Sequence, residues 1–142
     1  MTRVDFYLLS QQELSARDQF ACRLTEKAFR LGHRIFLHSN DPGHAKSLDE
    51  LLWTFRDRSF IPHGLAAEAD QDPDFPVVVG TGEPPQGNYD LLINCAEEIP
   101  DFFSRFERVA EPVVNEDSAK ARGRDRYRFY RDRGYPLEMH NL

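Results

Sequence analysis

The chain has 142 residues, 40% of them hydrophobic and 30% charged, with a formal charge of −6 at pH 7. A chain of that length buries roughly two-thirds of its unfolded surface, so a single domain over residues 1–142 is expected to fold without disulfide or metal staples. The first strand-like run is too short to cross a bilayer and its start is unlike a signal peptide, which excludes a membrane role and gives a soluble, cytoplasmic expectation.

In chain order, residues 4–9 form an apolar run of buried-strand length. A helical pattern follows over about 15–31, with Phe20, Leu24, Ala28 and Leu31 on one face and Gly32 as the stop. Residues 34–38 predict a second strand, and the Ser39-Asn40-Asp41-Pro42 turn predicts a helix starting near Gly43 or His44. On that helix Ala45, Leu48, Leu51, Leu52 and Phe55 share an arc and Trp53 lies off it. The acidic stretch around 68–74 reads as a solvated loop. Residues 75–79 and 89–94 predict strands, 102–109 a short helix, 111–114 a last strand, and 117–133 a final helix ended by Gly134. This alternation predicts an α/β fold, an open and largely parallel sheet with helices on both faces.

Such sheets bind ligands at the carboxyl ends of their strands, which makes a nucleotide enzyme the first function to test. The GxxxxGK[ST] phosphate loop is absent, and in the Gly80, Gly82, Gly87 cluster Pro85 stands where GxGxxG needs its third glycine, removing an amide donor. Cys22 and Cys95 have no ligand spacing and sit in apolar runs, where a small buried side chain is the expected role. His33, His38, His44, His63 and His140 show neither HExxH nor HxH spacing, and there is no GxSxG elbow. No catalytic residue, cofactor or metal ion is expected.

The last helix carries the clearest signal. Between Ser118 and Arg133 seven basic residues face two acidic ones, a local charge of +5 that leaves −11 on the rest of the chain. At about 100° per residue Lys120, Arg124, Tyr127, Arg128 and Arg131 share one face, while Ala119, Gly123 and Tyr130 form an adjacent arc that can lie on the sheet. This basic stripe beside an aromatic reads in three ways: a solvated helix face, a holder of an acidic peptide whose apolar residue enters a neighbouring pocket, or a binder of single-stranded nucleic acid through phosphates and stacking. The acidic remainder of the chain opposes the last. Trp53 with Phe60, Ile61, Pro62 and His63 reads either as an exposed interface anchor or as a segment folded back into the core.

Phe6-Tyr7-Leu8-Leu9, Leu48-Asp49-Glu50-Leu51-Leu52-Trp53, Ser59-Phe60-Ile61-Pro62-His63, Asp90-Leu91-Leu92-Ile93-Asn94 and Asn115-Glu116-Asp117-Ser118, followed by Arg124-x-Arg126-Tyr127-Arg128-x-Tyr130-Arg131, resemble the chi subunit of bacterial DNA polymerase III in order along nearly the whole chain. The resemblance implies a Rossmann-like, non-catalytic clamp-loader accessory with two protein partners and at most indirect or weak DNA contact. It implies that Lys120, Arg124 and Arg128 meet the acidic C-terminal tail of single-stranded-DNA-binding protein, with Val113, Tyr127 and Tyr135 forming the pocket for the tail's terminal phenylalanine. It also implies a psi-subunit contact near Trp53, Phe60, Ile61, Pro62 and His63.

Overall fold

The computed structural model describes residues 1–56, 60–66, 75–85 and 87–142. Seven strands, β1 (Arg3–Leu8), β2 (Ile35–His38), β3 (His63–Leu65), β4 (Val77–Gly80), β5 (Leu91–Asn94), β6 (Arg108–Val113) and β7 (Leu137–Asn141), form one sheet in the order β3-β4-β2-β5-β6-β1-β7. Every pairing in it is parallel. Among the described residues the complete helices are α1 (Leu14–Arg30), α2 (Pro42–Thr54) and α3 (Asp117–Asp132), and Phe103–Arg105 is a single 3-10 turn.

Successive strand residues point to opposite faces, and both faces are apolar because both are covered. Ile35 and Leu37 pack with Ala21, Cys22, Ala45, Leu48 and Leu52 of α1 and α2. Phe36, between them, joins Phe6, Val109, Phe102, Phe103 and Tyr130 on the α3 side. Helices thus lie on both faces, as the alternating pattern predicts. Asp41 caps α2 by accepting from the His44 amide at 2.8 Å, with Pro42 in the first turn.

Three sequence expectations need correction. The predicted core face of α1 is rotated: Ala21, Cys22, Thr25, Glu26 and Ala28 are buried, Phe20 and Leu24 only partly so, and Leu31 is 69% exposed. Glu26 enters this face because Arg56 (2.7 Å) and Arg30 (3.7 Å) pair with it. The helix expected over 102–109 shrinks to the 3-10 turn, since β6 begins at Arg108 in register with Leu91. Strands β3 and β7 have no counterpart in the sequence reading. The stretch 68–74 lies outside the described residues.

Among the described residues strand β7 pairs with β1 alone, and it is pinned through its side chains. His140 Nε2 lies 3.0 Å from the buried Asp5 carboxylate and its ring stacks on Tyr7 at 4.7 Å, while Arg3 binds Glu138 at 2.5 Å. Burial works to raise the Asp5 carboxyl, but the His140 and Arg108 hydrogen bonds and the charges of Arg108 and Arg3 outweigh it and hold the group below its ordinary value of 3.8. A carboxylate depressed on folding stabilises fully above the ordinary value and loses that contribution as pH falls through the lower, folded one. The stability gap between wild type and Asp5→Asn should therefore close as denaturant midpoints are measured below about pH 4. A gap independent of pH would refute this pairing.

Candidate functional site, an apolar groove with a basic rim

Helix α3 sits close on β6 because position 123 carries no side chain. A Cβ there would lie 3.2 Å from both Val113 methyls. The same inward face presents Arg126 and Tyr130 to Glu111, which is fully buried on β6. Arg126 Nε donates to Glu111 Oε1 at 2.9 Å; Tyr130 Oη and Asn94 Nδ2 donate to Oε2 at 2.8 and 3.0 Å. Burial pushes the Glu111 carboxyl above the usual range, opposed by the Arg126 charge and by these donors. Arg126 also donates to the Glu97 carbonyl at 2.9 Å. This network sets the roll of α3, so its opposite arc overlooks β1 and β7.

That arc bounds a groove of about 470 Å³. Phe6, Leu8, Val113 and Met139 make its floor, Gly123 and Tyr127 its wall, and Lys120, Arg124, Arg128 and Arg131 its rim. Tyr127 is braced by the Phe6 ring, 5.5 Å away. Arg128 pairs with Asp125, Arg131 with Asp132 (3.1 Å), and Lys120 donates to Asn115 Oδ1 (3.2 Å). Among the described residues Arg124 has no such partner, which leaves its guanidinium available.

Five of the six residues implied for the tail, Val113, Lys120, Arg124, Tyr127 and Arg128, line this groove together. Tyr135 does not: its ring packs on Phe103 at 5.1 Å and on Tyr130 at 6.4 Å. Phe6, Leu8 and Met139 were missed as floor residues, since strand alternation marks which residues share a face but not which helix leaves that face open.

The second implied surface divides. Trp53 and Phe60, 49% and 82% exposed, meet edge to face at 6.0 Å, and Pro62 is exposed beside them. Ile61 and His63 are buried, the His63 ring lying 4.2 Å from Trp53 and between the Ile61 (2.6 Å) and Asp49 (2.9 Å) carbonyl oxygens. Ile61 and His63 thus lie beneath the patch, and of the five residues Trp53, Phe60 and Pro62 are the exposed ones.

Several arrangements resemble reactive sites. Adjacent strands β1 and β6 send α1 and α3 to opposite faces, so the ligand crevice of a doubly wound sheet falls between them. It holds about 260 Å³ beside Arg17, Arg122 and Arg126. Glu116 fills the start of α3, accepting from the Ser118 and Ala119 amides at 3.0 and 2.9 Å, and those bonds hold its carboxyl below the usual range. Glu97 takes Arg122 at 2.6 Å and Asp18 takes Arg17 at 3.2 Å, so the chain's own carboxylates engage the groups a phosphate would use. Ser39 Oγ lies 2.6 Å from His44 Nδ1, and His44 Nε2 lies 3.1 Å from Asp18. Ser39 is fully buried, so no substrate carbonyl reaches its oxygen; the set ties the β2–α2 turn to α1. Both cysteines are buried and free, and burial pushes the Cys22 thiol up to about 12 and the Cys95 thiol up as well, so neither is a nucleophile at neutral pH. Asp5, Glu138 and His140 are close enough to share a cation, but Arg3 and Arg108 already bind the two carboxylates.

Residues 1–138 match the family model described as DNA polymerase III chi subunit, HolC. The chain belongs to that family. It is 51% identical to DNA polymerase III subunit chi of Pseudomonas aeruginosa over 142 residues, covering 100% of this chain and 98% of that one. It is 33% identical to the Escherichia coli subunit chi over 141 residues, with 96% of each chain covered. The Haemophilus influenzae subunit chi is 31% identical over 137 residues, covering 96% of this chain and 95% of its own. Membership makes the protein an accessory subunit of a replicative DNA polymerase. No helix among the described residues is long and apolar enough to cross a membrane.

Proposed function

We propose that the chain is a non-catalytic adaptor of the polymerase's clamp-loader assembly, holding the acidic C-terminal tail of single-stranded-DNA-binding protein in the α3 groove and the psi subunit at the Trp53–Phe60 patch. The observation that carries this reading is the joining of an apolar floor and a four-cation rim in one cavity. Phosphate contacts alone need no such floor, and an apolar ligand alone needs no such rim. An acidic peptide ending in an aromatic residue uses both.

Magnitudes divide the labour. Burying a phenylalanine ring contributes about 1.5–3 kcal/mol, whereas an exposed ion pair contributes about 0–1 kcal/mol. The floor anchors the tail, and the rim orients it and speeds its encounter. After the cost of ordering a flexible tail, a Kd on the order of micromolar is expected, rising with salt. Because Arg124 is exposed and unpaired among the described residues, Arg124→Ala should weaken a tail peptide roughly threefold to tenfold in a calorimetric titration. Its melting temperature should not change, and unchanged affinity would count against the groove.

For the second partner, Trp53 supplies its own reporter, as the only tryptophan and 49% exposed. Its fluorescence should shift to the blue when psi is added, and Phe60→Ala should weaken that complex by about tenfold or more. An emission spectrum that psi leaves untouched would remove this surface from the reading.

A further inference from the structure

Strand β7 is the outermost of its end of the sheet, and its backbone tells which groups remain open. Leu137 is in register with Val4, whose amide donates to the Pro136 carbonyl, and the Leu142 amide donates to the Leu8 carbonyl. Positions 136, 138, 140 and 142 therefore turn their backbone groups toward β1, and Leu137, Met139 and Asn141 turn theirs outward. Among the described residues no strand pairs with that edge.

Edge strands are commonly blunted by proline or by charged side chains. The five residues of β7 contain no proline. Its ionisable residues, Glu138 and His140, lie on the α1 face, held by Arg3, Asp5 and Tyr7. Leu137 packs on the α3 side, and Met139 forms part of the groove floor across from Arg128 and Arg131. An open row of amides thus runs beside the groove, and the cations facing it select an acidic chain.

We propose that β7 is a docking strand: the acidic segment that precedes the terminal phenylalanine of the tail adds to the sheet as an eighth strand, bonding to the outward backbone groups of Leu137, Met139 and Asn141. This rests on the tail reading of the groove and deepens it. Side-chain contacts in the groove select the terminal residue, while the backbone ladder holds the residues before it whatever their side chains, and that part of the affinity resists salt.

The test uses the full chain and three tail peptides: the full peptide, the peptide without its terminal phenylalanine, and one N-methylated at alternate acidic residues. N-methylation should weaken binding about 3- to 10-fold, the effect of one or two lost backbone bonds. Asn141→Pro removes an outward amide without breaking a bond to β1, so it should weaken binding similarly while Asn141→Ala does not. Amide exchange at Met139 and Asn141 should slow at least tenfold in the complex, with Glu138 and His140 unchanged. If the full peptide binds and needs its phenylalanine, but N-methylation, Asn141→Pro and exchange show no effect, the docking strand is overturned and the groove stands. If the full peptide does not bind, or binds equally well without phenylalanine, both are overturned.

Discussion

Replacing Glu111 by alanine is expected to lower the unfolding free energy by about 3–5 kcal/mol, the range for breaking a buried ion pair from one side. The loss is large because Glu111 is fully buried and accepts from three side chains, so its removal takes the carboxylate from the Tyr130 hydroxyl and the buried Arg126 guanidinium, leaving the latter the Glu97 carbonyl, and takes one of its two acceptors from the Asn94 amide. The deleted side chain adds a cavity. For a chain of this size the melting temperature should fall by roughly 6–20 °C. A triple change, Glu111→Leu with Arg126→Leu and Tyr130→Phe, should recover most of the loss, since apolar groups of similar volume replace buried ion pairs at little cost. Denaturant unfolding of the single and triple variants tests this directly, and a single-variant loss under about 1 kcal/mol would contradict the network.

Gly123→Leu is expected to abolish tail binding, taking the affinity at least about a hundredfold below wild type, well beyond what losing one exposed ion pair can do. Position 123 faces Val113 at the groove wall, where even a Cβ stands 3.2 Å from two methyls. Three further carbons can go only into the groove or against β6, lifting α3. Overpacking of this kind costs about 1–3 kcal/mol, so the variant should remain folded at 25 °C. Circular dichroism and a peptide titration on the same sample separate the two effects. Retention of micromolar binding by a folded Gly123→Leu chain would show that the peptide lies elsewhere.

The contrast between Gly123 and Glu111 shows how far the sequence could be read. The helical wheel already groups Gly123 with Tyr130 on the sheet side and Lys120, Arg124, Tyr127, Arg128 and Arg131 on another, because helix periodicity is a local property. Arg126 looks like one more surface cation until Glu111, fifteen residues away in sequence, is found opposite it. Strand β7 fails for a related reason: Leu137-Glu138-Met139-His140-Asn141 is short and polar, and its strand form follows from pairing with β1, at the far end of the chain. The rotated face of α1 has the same origin, since Glu26 is buried by pairing with Arg56 on another segment, which no apolar pattern announces. Of the implied tail residues Tyr135 alone lies outside the groove lining, its ring packing on Phe103.

The central claim, that the α3 groove holds an acidic tail by its terminal aromatic residue, is tested most directly by titrating the chain with a fluorescent acidic peptide ending in Pro-Phe, with the same peptide lacking the phenylalanine, and with a single-stranded oligonucleotide. The account predicts a Kd on the order of micromolar for the full peptide and a loss of about 10- to 100-fold without the ring, the equivalent of about 1.5–3 kcal/mol of burial. It predicts little binding of the oligonucleotide at physiological salt. Tight oligonucleotide binding with neither peptide bound would contradict it and assign the basic face of α3 to nucleic acid.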